Sequence, residues 1–159
     1  MPTLIYSTTQ ALTIQALLVI NEARRTPDAH NKPNSSFARC FHACIGNQEK
    51  ENVISHFKDG KFAVISSTMA LGLGQNWKRV SQVIHVGCGD PSTIFQMIGR
   101  CGRGGNPGLA ILFVEEKQQK GKNKLSDFSN PEFQSNDDQM DALAITDVCL
   151  RITFSIDNL

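Results

Sequence analysis

An α/β fold, with a parallel sheet covered by helices on both faces, is the architecture this 159-residue sequence predicts. Three observations lead to it. Short apolar runs of strand length recur along the first two thirds of the chain. Stretches with helical spacing of apolar residues stand between several of them. Loops rich in Ser, Thr, Gly and Asp follow the strands. Alternating strands and helices favour parallel pairing, because a parallel connection needs a crossover long enough to hold a helix. Ligands of such sheets gather at the carboxyl ends of the strands.

The elements follow in order. "LIYS" (4–7) is a short apolar run ending in "STT", a strand leading into a helix cap. Residues 9–25 place Ala11, Leu12, Ile14, Leu17, Leu18 and Ala23 at the spacing of a buried helix. "TPDAHNKPNSS" (26–36) is a loop by its Pro, Asn and Ser content. Residues 37–44 alternate weakly as a second strand. Residues 47–61 put Val53, Ile54 and Phe57 on one helical face, with Asn47 as cap and Gly60 as stop. Residues 62–67 and 80–87 are the third and fourth strands. Residues 90–101 form a helix with Asp90 as cap and Pro91 in its first turn. Residues 109–116 are the fifth strand. Three regions result: a folded lobe over 1–114, a flexible acidic and polar linker over 115–139, and a possible helix within 140–159.

Composition narrows the function. The chain is 40% hydrophobic and 19% charged, an ordinary globular balance. No apolar run approaches the ~18 residues of a membrane span, so no membrane partner is expected. The start lacks a signal peptide, and five scattered cysteines do not suggest a secreted disulfide framework. A reducing, intracellular setting is expected. Residues 1–114 hold 11 Lys and Arg against 6 Asp and Glu, whereas residues 115–159 hold 5 against 9. A modestly basic body permits nucleic-acid contact without demanding it.

"MIGRCGRGG" (97–105) draws the eye, with Arg100 and Arg103 among four glycines. Arginine offers a planar fork of donors that matches phosphate oxygens, and glycine lets a backbone approach closely. A phosphate site and a solvated turn are both consistent with this stretch alone. "CFHAC" (40–44) would place Cys40, His42 and Cys44 on one strand face, but lacks a fourth ligand; core packing is expected and no metal.

Taken in order, the segments resemble the second motor lobe of a superfamily 2 helicase, RecQ type. "LIYSTT" resembles motif IV, "STMALGLGQNW" motif V, and "QMIGRCGRGGNPG" motif VI; "VIHVG" matches the strand between the last two. The likeness spans roughly residues 3–114 and implies a RecA-like lobe of an ATP-dependent 3′–5′ DNA helicase. It implies Arg103 as the main arginine finger toward the γ-phosphate of ATP, with Arg100 beside it. Gln96, Asn76 and Gly74 would lie toward the nucleotide. Ser7, Thr8, Thr68, Gly72, Lys78 and Arg79 would contact the nucleic-acid backbone. Single-stranded or forked DNA is the implied partner, and the nucleus the implied compartment in a eukaryote. Gly104 departs from the charged residue usual at that position.

No "GxxxxGK[ST]" phosphate loop and no strand ending in Asp-Glu occurs in the sequence. ATP and Mg²⁺ are therefore expected to be held mainly by a separate first lobe, a necessary partner, and the chain alone to bind no cofactor and to be inactive. "CLRITF" around Cys149 resembles the beginning of the family's zinc module without its further ligands. Two other readings stand beside the first: a non-enzymatic nucleic-acid-binding remnant, and the lobe of an RNA helicase.

Overall fold

The structure is a computed structural model and describes residues 1–71, 77–118, 121–128 and 134–156. Five strands carry the lobe: β1 (Thr3–Ser7), β2 (Ala38–Phe41), β3 (Val64–Ser67), β4 (Gln82–Val86) and β5 (Leu109–Phe113). They form one sheet in the order β2-β3-β1-β4-β5, every pair parallel. Helices α1 (Gln10–Ala23), α2 (Asn47–Lys58) and α3 (Pro91–Ile98) make the crossovers. This is the predicted α/β architecture, a parallel sheet covered on both faces.

Alternation along the strands builds two cores. Leu4 and Tyr6 of β1, Ile65 of β3 and Val83 of β4 point to the face covered by Val53 and Phe57 of α2 and by Met97 of α3. Ile5, Val64 and Ala38 point to the other face, under Leu17 of α1. Phe57 has no exposed surface and meets Phe62 and Trp77 with ring centroids 5.5 and 5.2 Å away. Ser66 makes a buried polar tie between layers, its Oγ donating to the Thr13 carbonyl at 2.8 Å.

Local signals work largely as expected. Thr9 caps α1, its Oγ1 accepting from the Leu12 amide at 3.2 Å. Asp90 caps α3, its Oδ2 accepting from the Thr93 amide at 2.8 Å, with Pro91 in the first turn. Gly60 ends α2 with φ +79°. Several boundaries differ, and two of them bear on the expectations above. Gly46, not Asn47, holds the cap position of α2. Strand β2 stops at Phe41, so Cys40, His42 and Cys44 do not share a strand face.

The carboxyl-side segment is also built differently from the helix expected within 140–159. Helix α4 (Asn136–Ile145) starts earlier, because Ser135 and Asp138 cap each other's backbone amides. It stops at Thr146, whose backbone is extended and whose hydroxyl accepts from the Val148 amide at 3.2 Å. Helix α5 (Leu150–Ile156) follows. Met140, Leu143 and Phe154 pack on Ile94 of α3, so this segment shares a core with the lobe. Within the expected linker, Lys122 is tied to α4: its amide donates to Asp141 at 2.7 Å and its Nζ lies 2.6 Å from Asp138. No helix among the described residues is long and apolar enough to cross a membrane.

Candidate nucleotide and nucleic-acid site

Strands β1 and β3 are neighbours, with Tyr6 opposite Ser67. Their carboxyl ends therefore bring Ser7, Thr8 and Thr68 to one place. Ser7 is buried and its Oγ has no hydrogen-bond partner among the described residues. Thr8 is exposed and Thr68 half-buried, its Oγ1 accepting from the Ala70 amide at 3.4 Å. Hydroxyls at such an edge suit backbone phosphates, which position a strand without reading its sequence. Gly72, Gly74 and Asn76, the other expected residues of this loop, lie outside the described residues.

The arginine-bearing turn lies at the other end of the sheet. Helix α3 runs back from the carboxyl end of β4, carrying exposed Gln96, and ends at Gly99. The turn beyond it folds onto the segment that enters β4: the Gly102 amide donates to the Val80 carbonyl at 3.1 Å. Gly102 adopts φ +74°, a conformation side chains resist. A Cβ on Gly104 would lie 2.5 Å from the Lys78 carbonyl oxygen. The departure from the family's charged residue at Gly104 thus has a local cause, since this packing leaves no room for a side chain.

Arg100 is half-buried and Arg103 exposed, with Arg103 Nε donating to the Gly99 carbonyl at 2.7 Å. Burial pushes the Tyr6 phenol up to about 12, and the positive charges of Arg100 and Arg103 pull against that rise. Tyr6 has no exposed surface, and its hydroxyl has no hydrogen-bond partner among the described residues.

Lys78 and Arg79 precede β4 and so stand away from Ser7, Thr8 and Thr68. Arg79 serves the fold: its guanidinium donates to the Phe57 carbonyl at the end of α2 and lies 5.0 Å from the Phe57 ring centre. Lys78 is exposed beside Gly104, so its side chain borders the arginine turn. Trp77 is buried against Phe57.

A cavity of about 730 Å³ opens beyond β4 and β5, bordered by Asp90, Glu115, Asp137 and Asp141. Its negative lining has the wrong sign for phosphate. Burial, then the charges of Asp141 and Glu115, push the Cys88 thiol up there. His85, beneath α3, has its pKa lowered by burial, and its Nδ1 lies 3.0 Å from the Gly87 carbonyl. Among the described residues no three His, Cys, Asp or Glu are grouped to hold a metal. His42 Nε2 meets Gln10 Nε2 at 3.3 Å, while Cys44 is exposed.

The pattern of the helicase conserved C-terminal domain matches residues 2–105, well over half of the chain. The chain belongs to that family. This helicase lobe is 29% identical over 117 residues to the ATP-dependent RNA helicase DBP5 of Kluyveromyces lactis, covering 67% of this chain and 25% of that protein. It thus spans about a quarter of that relative's length. Its fold is similar to the C-terminal domain of the DEAD-box protein Dbp5, at 26% identity and TM-score 0.54, covering 73% of this chain and 62% of that one. It is similar also to S. cerevisiae Dbp5 bound to RNA and ADP BeF3, at 25% identity and TM-score 0.55, covering 73% and 29%. These relatives are RNA helicases of the DBP5 type rather than RecQ-type DNA helicases.

Proposed function

We propose that this chain is the carboxyl-side motor lobe of an ATP-driven RNA helicase. The likeness to DBP5 RNA helicases over 117 residues carries the reading. The placement of two arginines on one glycine-rich turn supports the chemistry. Arg103 is the principal finger: exposed and anchored through Nε, it presents its terminal nitrogens to a nucleotide held by the first lobe. Arg100 stands beside it. Bound ATP with Mg²⁺ supplies the phosphoryl group and the energy of the cycle. Positive charge brought from a second body stabilises negative charge growing on the transferring group, an effect of ~10³–10⁵ in rate. Gln96 on α3 lies toward the same nucleotide. Ser7, Thr8 and Thr68 hold the strand by its phosphates at the carboxyl edge.

The test is ATP hydrolysis by this lobe joined to its first lobe, with single-stranded RNA or DNA of one sequence. RNA is expected to stimulate turnover and DNA to do little. Equal or greater stimulation by DNA would restore the RecQ-like 3′–5′ DNA reading. Stimulation by neither would favour a binding remnant without catalysis. Arg103→Ala is expected to lower turnover about 10³-fold while strand affinity holds; undiminished turnover removes the finger role.

A further inference from the structure

We infer that Phe154 of α5 is a positioning residue for Arg103, acting through Phe95 and the Gly99 carbonyl to set the direction of the guanidinium group. This rests on reading Arg103 as the phosphate-facing finger.

Helix α3 has 8 residues, too few to hold their own set in water, so its position comes from what packs on it. Met97 seats one side in the core beneath the sheet. Ile94, Phe95 and Ile98 need cover from elsewhere, and the carboxyl-side helices supply it. Ile94 is wholly buried in one cluster with Met140 and Leu143 of α4 and Phe154 of α5, and Ile98 packs against that cluster. The Phe95 and Phe154 rings lie 5.1 Å apart at a tilt of 51°, an arrangement that suits two aromatic quadrupoles. Phe95 is 47% exposed even so, which leaves the Phe154 ring as its aromatic support. The start of α3 is held from the same side: the Asn136 side-chain amide donates to Oδ1 of Asp90, the α3 cap, at 3.3 Å.

From Phe95 a short bonded path leads to the finger. The Phe95 carbonyl accepts from the Gly99 amide at 2.9 Å, the bond that closes the end of α3. The Gly99 carbonyl in turn accepts from Arg103 Nε at 2.7 Å. Phe95, Gly99 and Arg103 thus follow one another in four-residue steps, each joined to the next by one hydrogen bond. Arg103 is exposed, and the bond at Nε ties it to the helix end. If α3 shifts or frays at Phe95, the Gly99 carbonyl turns and carries the guanidinium group with it. A misplacement of about 1 Å is enough to lose much of the effect of a charged group on a transferring phosphoryl group.

Two measurements test this. In the chain alone, the Arg103 Nε–H resonance, assigned by its loss in Arg103→Lys, reports the bond to the Gly99 carbonyl. It should shift in Phe154→Ala and stay in place in Leu143→Ala, which opens the same cluster but leaves the ring pair intact. A resonance unmoved in Phe154→Ala, or moved equally in both variants, overturns the inference. In the chain joined to its first lobe, Phe154→Ala should lower kcat about tenfold, with KM for ATP and strand affinity unchanged. Leu143→Ala should keep parental kcat, whereas a mere loss of stability would lower both variants alike. Phe154→Leu keeps the burial without the ring; it should show the same pattern with a smaller loss, and it decides the matter if Phe154→Ala does not fold. Full kcat in the Phe154 variants overturns the inference alone, provided Arg103→Ala is dead. Full kcat in Arg103→Ala as well would overturn the finger reading and this inference together.

Discussion

Replacing Gly104 by alanine isolates the contact that fixes the arginine turn. Gly104 is absent from the left-handed glycines, so alanine meets no φ penalty there. By the effect of glycine on the unfolded chain alone, the change should stabilise by roughly 0.4–1 kcal/mol. The structure predicts the opposite sign. The new Cβ would lie 2.5 Å from the Lys78 carbonyl oxygen and 3.4 Å from its carbon, both backbone atoms that cannot swing aside. Relieving such overpacking costs roughly 1–3 kcal/mol, which outweighs the entropic gain. A melting temperature lower by about 2–10 °C follows for a chain of this size. Gly105→Ala is the control: φ is +83° with nothing within 4 Å, so it should lose only the strain of about 1 kcal/mol. Urea unfolding followed by fluorescence of Trp77, the sole tryptophan and a buried neighbour of Lys78, reads both. A Gly104→Ala variant as stable as the parent, or more so, would refute the packing argument.

Two further outcomes are expected. Arg79→Ala removes the hydrogen bond to the Phe57 carbonyl and the stacking on that ring; stability should fall by about 1–2 kcal/mol in urea melts, with strand affinity unchanged in a filter-binding assay. Asp138 is held below the ordinary carboxylate range by its hydrogen bond with Lys122 and then by the Ser135 amide. A depressed folded pKa means its contribution is present above the unfolded value of about 4 and is lost as pH falls through the folded value. Hydrogen exchange at the start of α4 should therefore accelerate on acidification below about pH 4 in the parent, and less steeply in Asp138→Asn; identical profiles would contradict the pairing.

Much of the lobe could be read from the chain because its signals are local. A cap, a proline and a period sufficed for α3, and Thr9 and Gly60 marked helix ends in the same way. The carboxyl-side helices were harder, since a reciprocal cap at Ser135 and Asp138 lies in a stretch with few apolar residues. The places of Ser7, Thr8 and Thr68 were legible because each lies at or just past the end of a strand. The bond of Arg79 to the Phe57 carbonyl was not legible, because a cation near a turn looks the same in sequence whether it meets a helix carbonyl or solvent. The choice between RecQ and DBP5 likeness could not come from short motifs, which the wider family shares. It needed similarity across the whole lobe.

By itself, the order of residues determined which segments are strands and helices, that they alternate, and that two arginines share a glycine-rich turn. Those properties follow from hydrophobic period and backbone preference within a few residues. Tertiary structure alone decided the strand order β2-β3-β1-β4-β5, the seating of that turn on Lys78, and the tie between Arg79 and the end of α2. Such meetings join residues far apart in the chain. Close packing and charge in the folded interior select them, and no local pattern records that selection.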